Sequence, residues 1–262
     1  MSGLLYVYAV AGPGAVQWLE RHQLEGIGGA RVRGVTADAV IGAVSEVPAA
    51  EFDQEPLDRN VADATWLGPR AASHQEVNAR LLDGLGAVLP LAFGTIFRSE
   101  DRVRSALRER GPELATALAA VAGRAEWVIT LDRDDRVAGE SLDAEPELRE
   151  LRGAAGASAP GRAYLLRTKL DNARRDARRR VEDDARAALR AATETVAEEL
   201  TDEPLVEGGP VARATALVPR DHEGALRRAT EGFNKVWSPR GYAARVAGPW
   251  PAYRYGAKVG SL

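Results

Sequence analysis

The chain has 262 residues, a formal net charge of −3, 45% apolar residues and no cysteine. That length carries one large domain or two small ones, with a core that needs no covalent staples. The charge gives no global attraction to nucleic acid, and the missing thiols exclude disulfides, thiol nucleophiles and cysteine-held metals and fit a reducing compartment.

No apolar run reaches the roughly 18 to 20 residues of a spanning helix. The N-terminal "MSGLLYVYAVAGPG" lacks the basic start of a secretory signal. The expectation is a soluble, cytoplasmic protein without membrane contact. Leu4 to Val10 is β-branched and aromatic-rich and reads as a buried strand, closed by the turn Gly12-Pro13-Gly14. A short helix over Ala15 to Gln23 follows. "ARVRGV" and "AVIGAV" flank Thr36-Ala37-Asp38 as a β-hairpin that Pro48 ends.

Glu51 to Leu67 is polar and holds a short helix. Ser73 and Glu76 form a capping box, which predicts a helix from Ser73 through Leu82. "VLPLAFGTIF" (88–97) is the most apolar run. Val88 to Phe93 reads as a strand buried on both faces, Pro90 places it at a sheet edge or a strand start, and Gly94 marks a bend. Ser99 caps a helix over "EDRVRSALRER", Pro112 opens another, and "EWVITL" (126–131) is a further strand. This interleaving predicts an α+β fold with a ferredoxin-like N-terminal domain over 1–138.

From Asp132 the sequence turns charged and turn-rich, so a C-terminal domain is expected over 139–262. Residues 162–200 carry an apolar stripe at steps of three and four, alanine in its middle, which predicts one long helix. It forms a hairpin with Leu142 to Leu151. "VARATALV", "DHEGALRRATEGFNKVW" with Asp221 as N-cap, and "YAARVAG" then give a terminal β-α-β element.

Candidate chemistry is sparse. His22, His74 and His222 have neither metal-ligand spacing nor a triad context, and His74 and His222 follow helix caps, where a local structural role is expected. In Gly12-Pro13-Gly14 the third glycine of a dinucleotide fingerprint would fall at Gln17, so an ordinary turn is favoured. No catalytic residue, cofactor or metal is expected. Arg174, Arg175, Arg178 and Arg179, with Arg180, form a basic patch. Asp171 and Asp176 stand four residues before Arg175 and Arg180, which makes it a self-neutralised helix face or a site for an acidic protein partner. Trp250 and Tyr253, with Tyr255, lie in a proline-spaced tail that either packs on its own domain or binds a partner.

Six segments in order resemble the gas vesicle proteins F and L over nearly the whole chain. They are "LLYVYAV", "SHQEVNARLL" (73–82), "VLPLAFGTIF", "AEWVITL" (125–131), "GRAYLLRTKL" (161–170) and "AGPWPAYRY" (247–255). The pattern departs at Ala92, where arginine is usual, and at Tyr255, where phenylalanine is common. Length and a compact C-terminus lean to the F type. The resemblance implies a minor, non-enzymatic gas vesicle component with an α/β N-terminal domain and a coiled-coil-like helical arm. Its implied partners are the small hydrophobic main shell subunit and other accessory proteins during nucleation and assembly, where it limits aggregation of the subunit. The partner-binding candidates are then Arg174, Arg175, Arg178, Arg179, Trp250 and Tyr253, with "VLPLAF" held in the core. The alternative is an RNA-binding or regulatory module: Tyr6 and Tyr8 share one strand face, and base stacking would need that face in solvent.

Overall fold

The computed structural model describes residues 3–259. The chain forms two compact units, one holding the residues up to Glu126 together with those from Pro249 onward, the other Trp127–Gly248. The division falls at 126/127 rather than after residue 138, and the tail belongs to the N-terminal unit. The chain passes between units inside strands, not in the charged loop where composition changes.

The first unit begins with β1 (Gly3–Ala11), α1 (Ala15–His22), β2 (Arg33–Ala37) and β3 (Val40–Pro48). Next come α2 (Ala49–Phe52), α3 (Gln54–Asn60), α4 (Ala64–Leu85), β4 (Val88–Pro90), β5 (Ile96–Phe97), α5 (Glu100–Glu109) and α6 (Gly111–Val121). The sheet order is β2-β3-β1-β4, with β5 also on β1, and β3 therefore lies between β1 and β2 as a split β-α-β fold requires. Every registered neighbouring pair is antiparallel. β1 is apolar throughout because helices cover both faces of the sheet. Leu4, Tyr6 and Tyr8 pack with α1 and α4, whereas Leu5 and Val7 pack with α5 and α6. A bulge between Val7 and Ala9 re-phases the strand. Tyr6 and Tyr8 are fully buried. That overturns the RNA reading, since no base can reach those rings.

Several local expectations hold. Ser99 Oγ accepts from Arg102 N–H at 3.3 Å and starts α5. Pro112 lies in the first turn of α6, and β4 with Pro90 is a sheet edge. Two do not. The helix placed from Ser73 begins nine residues earlier at Ala64, because Asp63 Oδ1 accepts from Thr65 N–H at 2.8 Å and Ser73 is interior. The strand expected to reach Phe93 stops at Pro90, the chain turning through 91–95 to start β5.

The second unit contains most of β6 (Arg124–Arg133), then α7 (Asp135–Asp143), α8 (Pro146–Gly156), α9 (Pro160–Glu194), β7 (Glu199–Asp202), β8 (Ala212–Pro219), α10 (Glu223–Trp237) and most of β9 (Tyr242–Trp250). The short α11 (Tyr253–Val259) lies in the first unit. The second sheet runs β7-β8-β6-β9. Trp127, Ile129 and Leu131 alternate along β6 and pack with Leu189 of α9 and Phe233 and Trp237 of α10. Asn234 bridges the edge strand β9, donating from Nδ2 to Ala244 O at 2.9 Å and accepting from Ala244 N–H at 2.7 Å, which occupies backbone groups an edge leaves open.

α9 forms its hairpin with α8 rather than with one helix over Leu142 to Leu151, since Leu142 belongs to α7; Leu148 and Ala177 are buried beside Leu170 and Ala173. The long helix ends at Glu194, not Leu200. Thr193 and Thr195 hydroxyls donate back to the Leu189 and Ala192 carbonyls, and Leu200 pairs with Ala216 as strand. Asp221 lies in a 3-10 turn (Arg220–His222), and the N-cap of α10 is His222.

Candidate functional site

The site is built in the first unit where α4 crosses β1. His74 and Asn78 are one turn apart on α4, so both side chains fall on the face that buries Val77 and Leu81. Tyr6 reaches that face from β1. Its hydroxyl is 2.8 Å from His74 Nδ1 and accepts from Gly94 N–H at 3.2 Å. Gly94 sits at φ +86°, a conformation that leaves its amide aimed at Tyr6 and disfavours any side chain. Tyr8 is held similarly, 2.7 Å from Ser45 Oγ and accepting from Ile27 N–H at 2.8 Å.

Burial sets the protonation of this group. It pushes the Tyr6 and Tyr8 hydroxyls well above their ordinary pKa, against the smaller lowering effects of the bonds from Gly94, and from Ser45 and Ile27. It pushes His74 down to about 4, with the Leu91 backbone partly offsetting it. The imidazole is therefore neutral at pH 7. The Tyr6 hydroxyl and His74 Nδ1 share one hydrogen bond, in addition to the one the hydroxyl accepts from Gly94. Asn78 as placed sets Nδ2 3.0 Å from Nε2 and leaves Oδ1 without a bond of normal length. Tyr6→Phe leaves His74 Nδ1 and Gly94 N–H without their bond, so a loss of about 1–3 kcal/mol is expected in urea unfolding. An unchanged midpoint would show that the network does not stabilise the unit.

An open groove of about 560 Å³ lies beside these residues. Pro90, Leu91, Ala92 and Phe93 form one wall, Ala71, His74 and Gln75 of α4 another, and Tyr253 and Gly256 of α11 the third. Phe93 packs edge-on to both Tyr6 and His74, with centroids 5.8 and 5.9 Å away. α11 is seated closely: the Arg254 N–H in its first turn donates to the buried Glu126 carboxylate at 2.9 Å, and a Cβ on Gly256 would collide with the Pro90 carbonyl. Tyr253 is shifted upward, by burial first, then downward by Asn78 and upward by Glu126. Beside the groove, the Glu51 carboxylate accepts from Trp66 Nε1 at 2.9 Å and pairs with Arg70. The Trp66 bond is the largest cause of its lowered pKa.

Of the sequence candidates, only Tyr253 lines this groove. Trp250 is half-buried at the end of β9, while Pro251 and Ala252 are buried, so the tail packs on the first unit. Arg174 is drawn to Asp143 of α7 at 2.9 Å. Arg175 bonds Asn172, Arg179 pairs with Asp176 at 3.7 Å, and Arg178 is half-buried. His22 stacks on Trp18, His222 lies 3.5 Å from the Val196 carbonyl, and His74 is buried rather than at a helix cap. Among the described residues no acidic or histidine cluster could hold a metal, and no helix is long and apolar enough to cross a membrane. Sequence reasoning gave His74 only a local structural role and missed Asn78 and Phe93. Their signal was the apolar character of "LPLAF" beside a helix carrying His and Asn at i, i+4.

The fold is that of a two-unit α+β protein whose first unit carries an apolar groove backed by a neutral histidine. The family described as "Gas vesicle synthesis protein GvpL/GvpF" matches residues 4–255, and the chain belongs to that family. Gas vesicle protein L2 of Halobacterium salinarum is 30% identical over 267 aligned residues, which cover 97% of this chain and 91% of the relative. Gas vesicle protein L of a Streptomyces species is 28% identical, covering 96% and 92%. The crystal structure of GvpF from Anabaena superposes with a TM-score of 0.70 at 17% identity, covering 98% of both chains. That of GvpF from Microcystis aeruginosa gives 0.66 at 18%, covering 98% and 99%. The two structures bear on the fold alone. The family carries both names, L among these relatives and F among the structures, and it gives this chain a gas vesicle-associated role.

Proposed function

We propose that the protein is a non-catalytic assembly component of the gas vesicle that binds the small hydrophobic shell subunit in the groove of the first unit. In this reading it limits aggregation of the subunit during nucleation and also meets other accessory proteins. One observation carries it: three segments far apart in sequence, "SHQEVNARLL", "VLPLAFGTIF" and "AGPWPAYRY", converge on a single apolar groove. An open cleft of that volume takes apolar side chains of a partner, and its histidine is neutral at pH 7, so no charge opposes their burial.

The test is retention of the co-expressed shell subunit by the full chain. Ala92 is exposed and Ala71 half-exposed at the groove, so Ala71→Asp with Ala92→Asp places two charges there without opening the core. Retention is expected to fall about tenfold or more, with circular dichroism unchanged. Undiminished retention by the folded variant would remove the groove from the interaction. No retention by the unaltered chain, with subunit present and soluble, would remove direct subunit binding.

A further inference from the structure

The hairpin turn between α8 and α9 and the first turns of α9 make a basic tip. Residues 151–170 contain Arg152, Arg162, Arg167 and Lys169 and no acidic residue. Arg152 is taken up by Asp143 at 2.5 Å. Arg162, Arg167 and Lys169 are exposed, and among the described residues no carboxylate pairs with any of them. Asp171, one turn beyond Arg167, does not pair with it. α9 itself gains nothing from these cations, because a helix N-terminus attracts anions and its first turn holds no acidic residue. The arginine run further along is different: Arg174 is drawn to Asp143, Arg175 to Asn172 and Arg179 to Asp176.

The same turns expose apolar side chains. Ala163, Leu166 and Leu170 recur at steps of three and four and are buried or half-buried, Leu170 in the seam with α8. Tyr164 and Leu165 lie off that row and are 70% and 68% accessible. They are two of the six large exposed hydrophobics among the described residues and adjoin in sequence. Arg162, Leu165 and Lys169 share one helical row, and Tyr164, Arg167 and Thr168 the next. Cations and apolar groups are therefore mixed over one outward strip, about 10 Å long at the usual helical rise.

We infer that this strip docks an acidic amphipathic helix of another protein. Apolar side chains of the partner cover Tyr164 and Leu165, and its carboxylates reach Arg162, Arg167 and Lys169. Charge selects the partner, because the three cations lack carboxylates. The apolar pair narrows it further, because a bare polyanion gives Tyr164 and Leu165 no cover. A second copy of this chain is a poor occupant: Glu194 and Asp202 are engaged by Arg190, and Glu203 by Arg213. A helix laid along α9 presents anchors at steps of three and four, as the strip does. The inference gives a surface to the contacts with other accessory proteins in the proposed function, and it is independent of the groove.

The test is fluorescence anisotropy of a labelled synthetic helix, leucine on one face and glutamate on the other, titrated with the full chain. Saturable binding is expected, weaker in added salt, which screens exposed charge. Arg162→Glu with Arg167→Glu and Lys169→Glu should weaken it about tenfold or more. Tyr164→Ser with Leu165→Ser should weaken it about tenfold at unchanged charge. These side chains are exposed, so circular dichroism should not change. Arg175→Gln with Arg179→Gln should bind as the unaltered chain does, and so should the groove variant Ala71→Asp with Ala92→Asp. That last result separates this surface from the groove. No saturable binding by the unaltered chain, or full binding by either tip variant, would overturn the proposal. Oligoglutamate or single-stranded RNA binding as tightly as the helix would overturn it in favour of charge alone, and tighter binding to vesicles of anionic lipid in favour of a membrane surface.

Discussion

Gly241→Ala is expected to cost the second unit about 4 kcal/mol. Gly241 closes the 3-10 turn Ser238–Arg240 at φ +84°. Its N–H donates to Ser238 O at 3.0 Å, and its carbonyl accepts from Asp134 N–H at 2.8 Å. Asp134 is the N-cap of α7, with Oδ1 3.0 Å from the amides of both Arg136 and Val137. The turn before β9 and the start of α7 are therefore one hydrogen-bonded piece. A Cβ on Gly241 would lie 2.8 Å from Ala138 Cα and 2.9 Å from Ala138 Cβ, and closer still to the Ala138 amide nitrogen.

Two penalties add here, and they can be separated. A left-handed φ on a non-glycine residue costs about 1–2 kcal/mol, and overpacking against an immovable neighbour about 1–3 or more. These neighbours are mainly backbone of α7, which cannot rotate away as a flexible side chain would, so the collision is expected to dominate. Asn tolerates the left-handed region better than alanine but brings the same Cβ. Gly241→Asn should therefore be nearly as destabilised as Gly241→Ala, and a midpoint lower by about 10 °C is expected for both. If Gly241→Asn matches the unaltered protein while Gly241→Ala does not, backbone strain dominates. If neither loses more than about 1 kcal/mol, the approach of α7 to this turn is wrong.

What the sequence disclosed follows from the range of the interactions involved. Ser99 capping α5, Pro112 opening α6, the bend at Gly94 and the apolar continuity of β1 are set by neighbours a few residues apart or by burial on both faces, and each was legible. The start of α4 was not. Gly68-Pro69 resembles a break, whereas Asp63 caps the helix early and the Glu51–Trp66–Arg70 cluster holds its first turns against α2. Ser73 offered a local capping pattern that the longer helix overrode. Leu200 continued the apolar stripe of α9 arithmetically, but pairing with Ala216 of β8, unseen at helical period, took it into a strand. The groove was the least legible feature. Tyr6, His74, Gly94 and Tyr253 meet only because β1 lies beside β4 in the sheet, α4 crosses above, and the tail returns to the first unit. Each of those is a pairing over tens of residues or more, and none leaves a periodic mark in the sequence.

The buried imidazole at that meeting point should make the protein acid-sensitive in a window that belongs to His74. Its ordinary pKa of 6.5 falls to about 4 in the fold, burial being the main cause. The sign follows from proton counting. Above pH 6.5 neither the folded nor the unfolded chain protonates this residue, and its environment costs nothing. Between 6.5 and about 4 the unfolded chain takes up a proton that the folded chain refuses, so stability falls as the pH falls. Below about 4 both are protonated and the loss is complete. A gap of about 2.5 pH units at about 1.4 kcal/mol per unit gives a loss of about 3 kcal/mol. Carboxylates also titrate in the lower part of this window, so the comparison must be with a variant. His74→Gln keeps a hydrogen-bonding side chain beside Tyr6 and Asn78 but cannot ionise. Urea unfolding at steps from pH 7 to pH 4 should show the unaltered protein losing about 3 kcal/mol more than His74→Gln, with most of the difference appearing between pH 6 and 4.5. The variant is expected to be less stable at pH 7, where it loses a fitted ring, and to close that gap as the pH falls. Parallel curves for the two proteins would mean that His74 accepts its proton in the fold as readily as in the unfolded chain, and that the Tyr6–His74–Asn78 network does not hold it neutral.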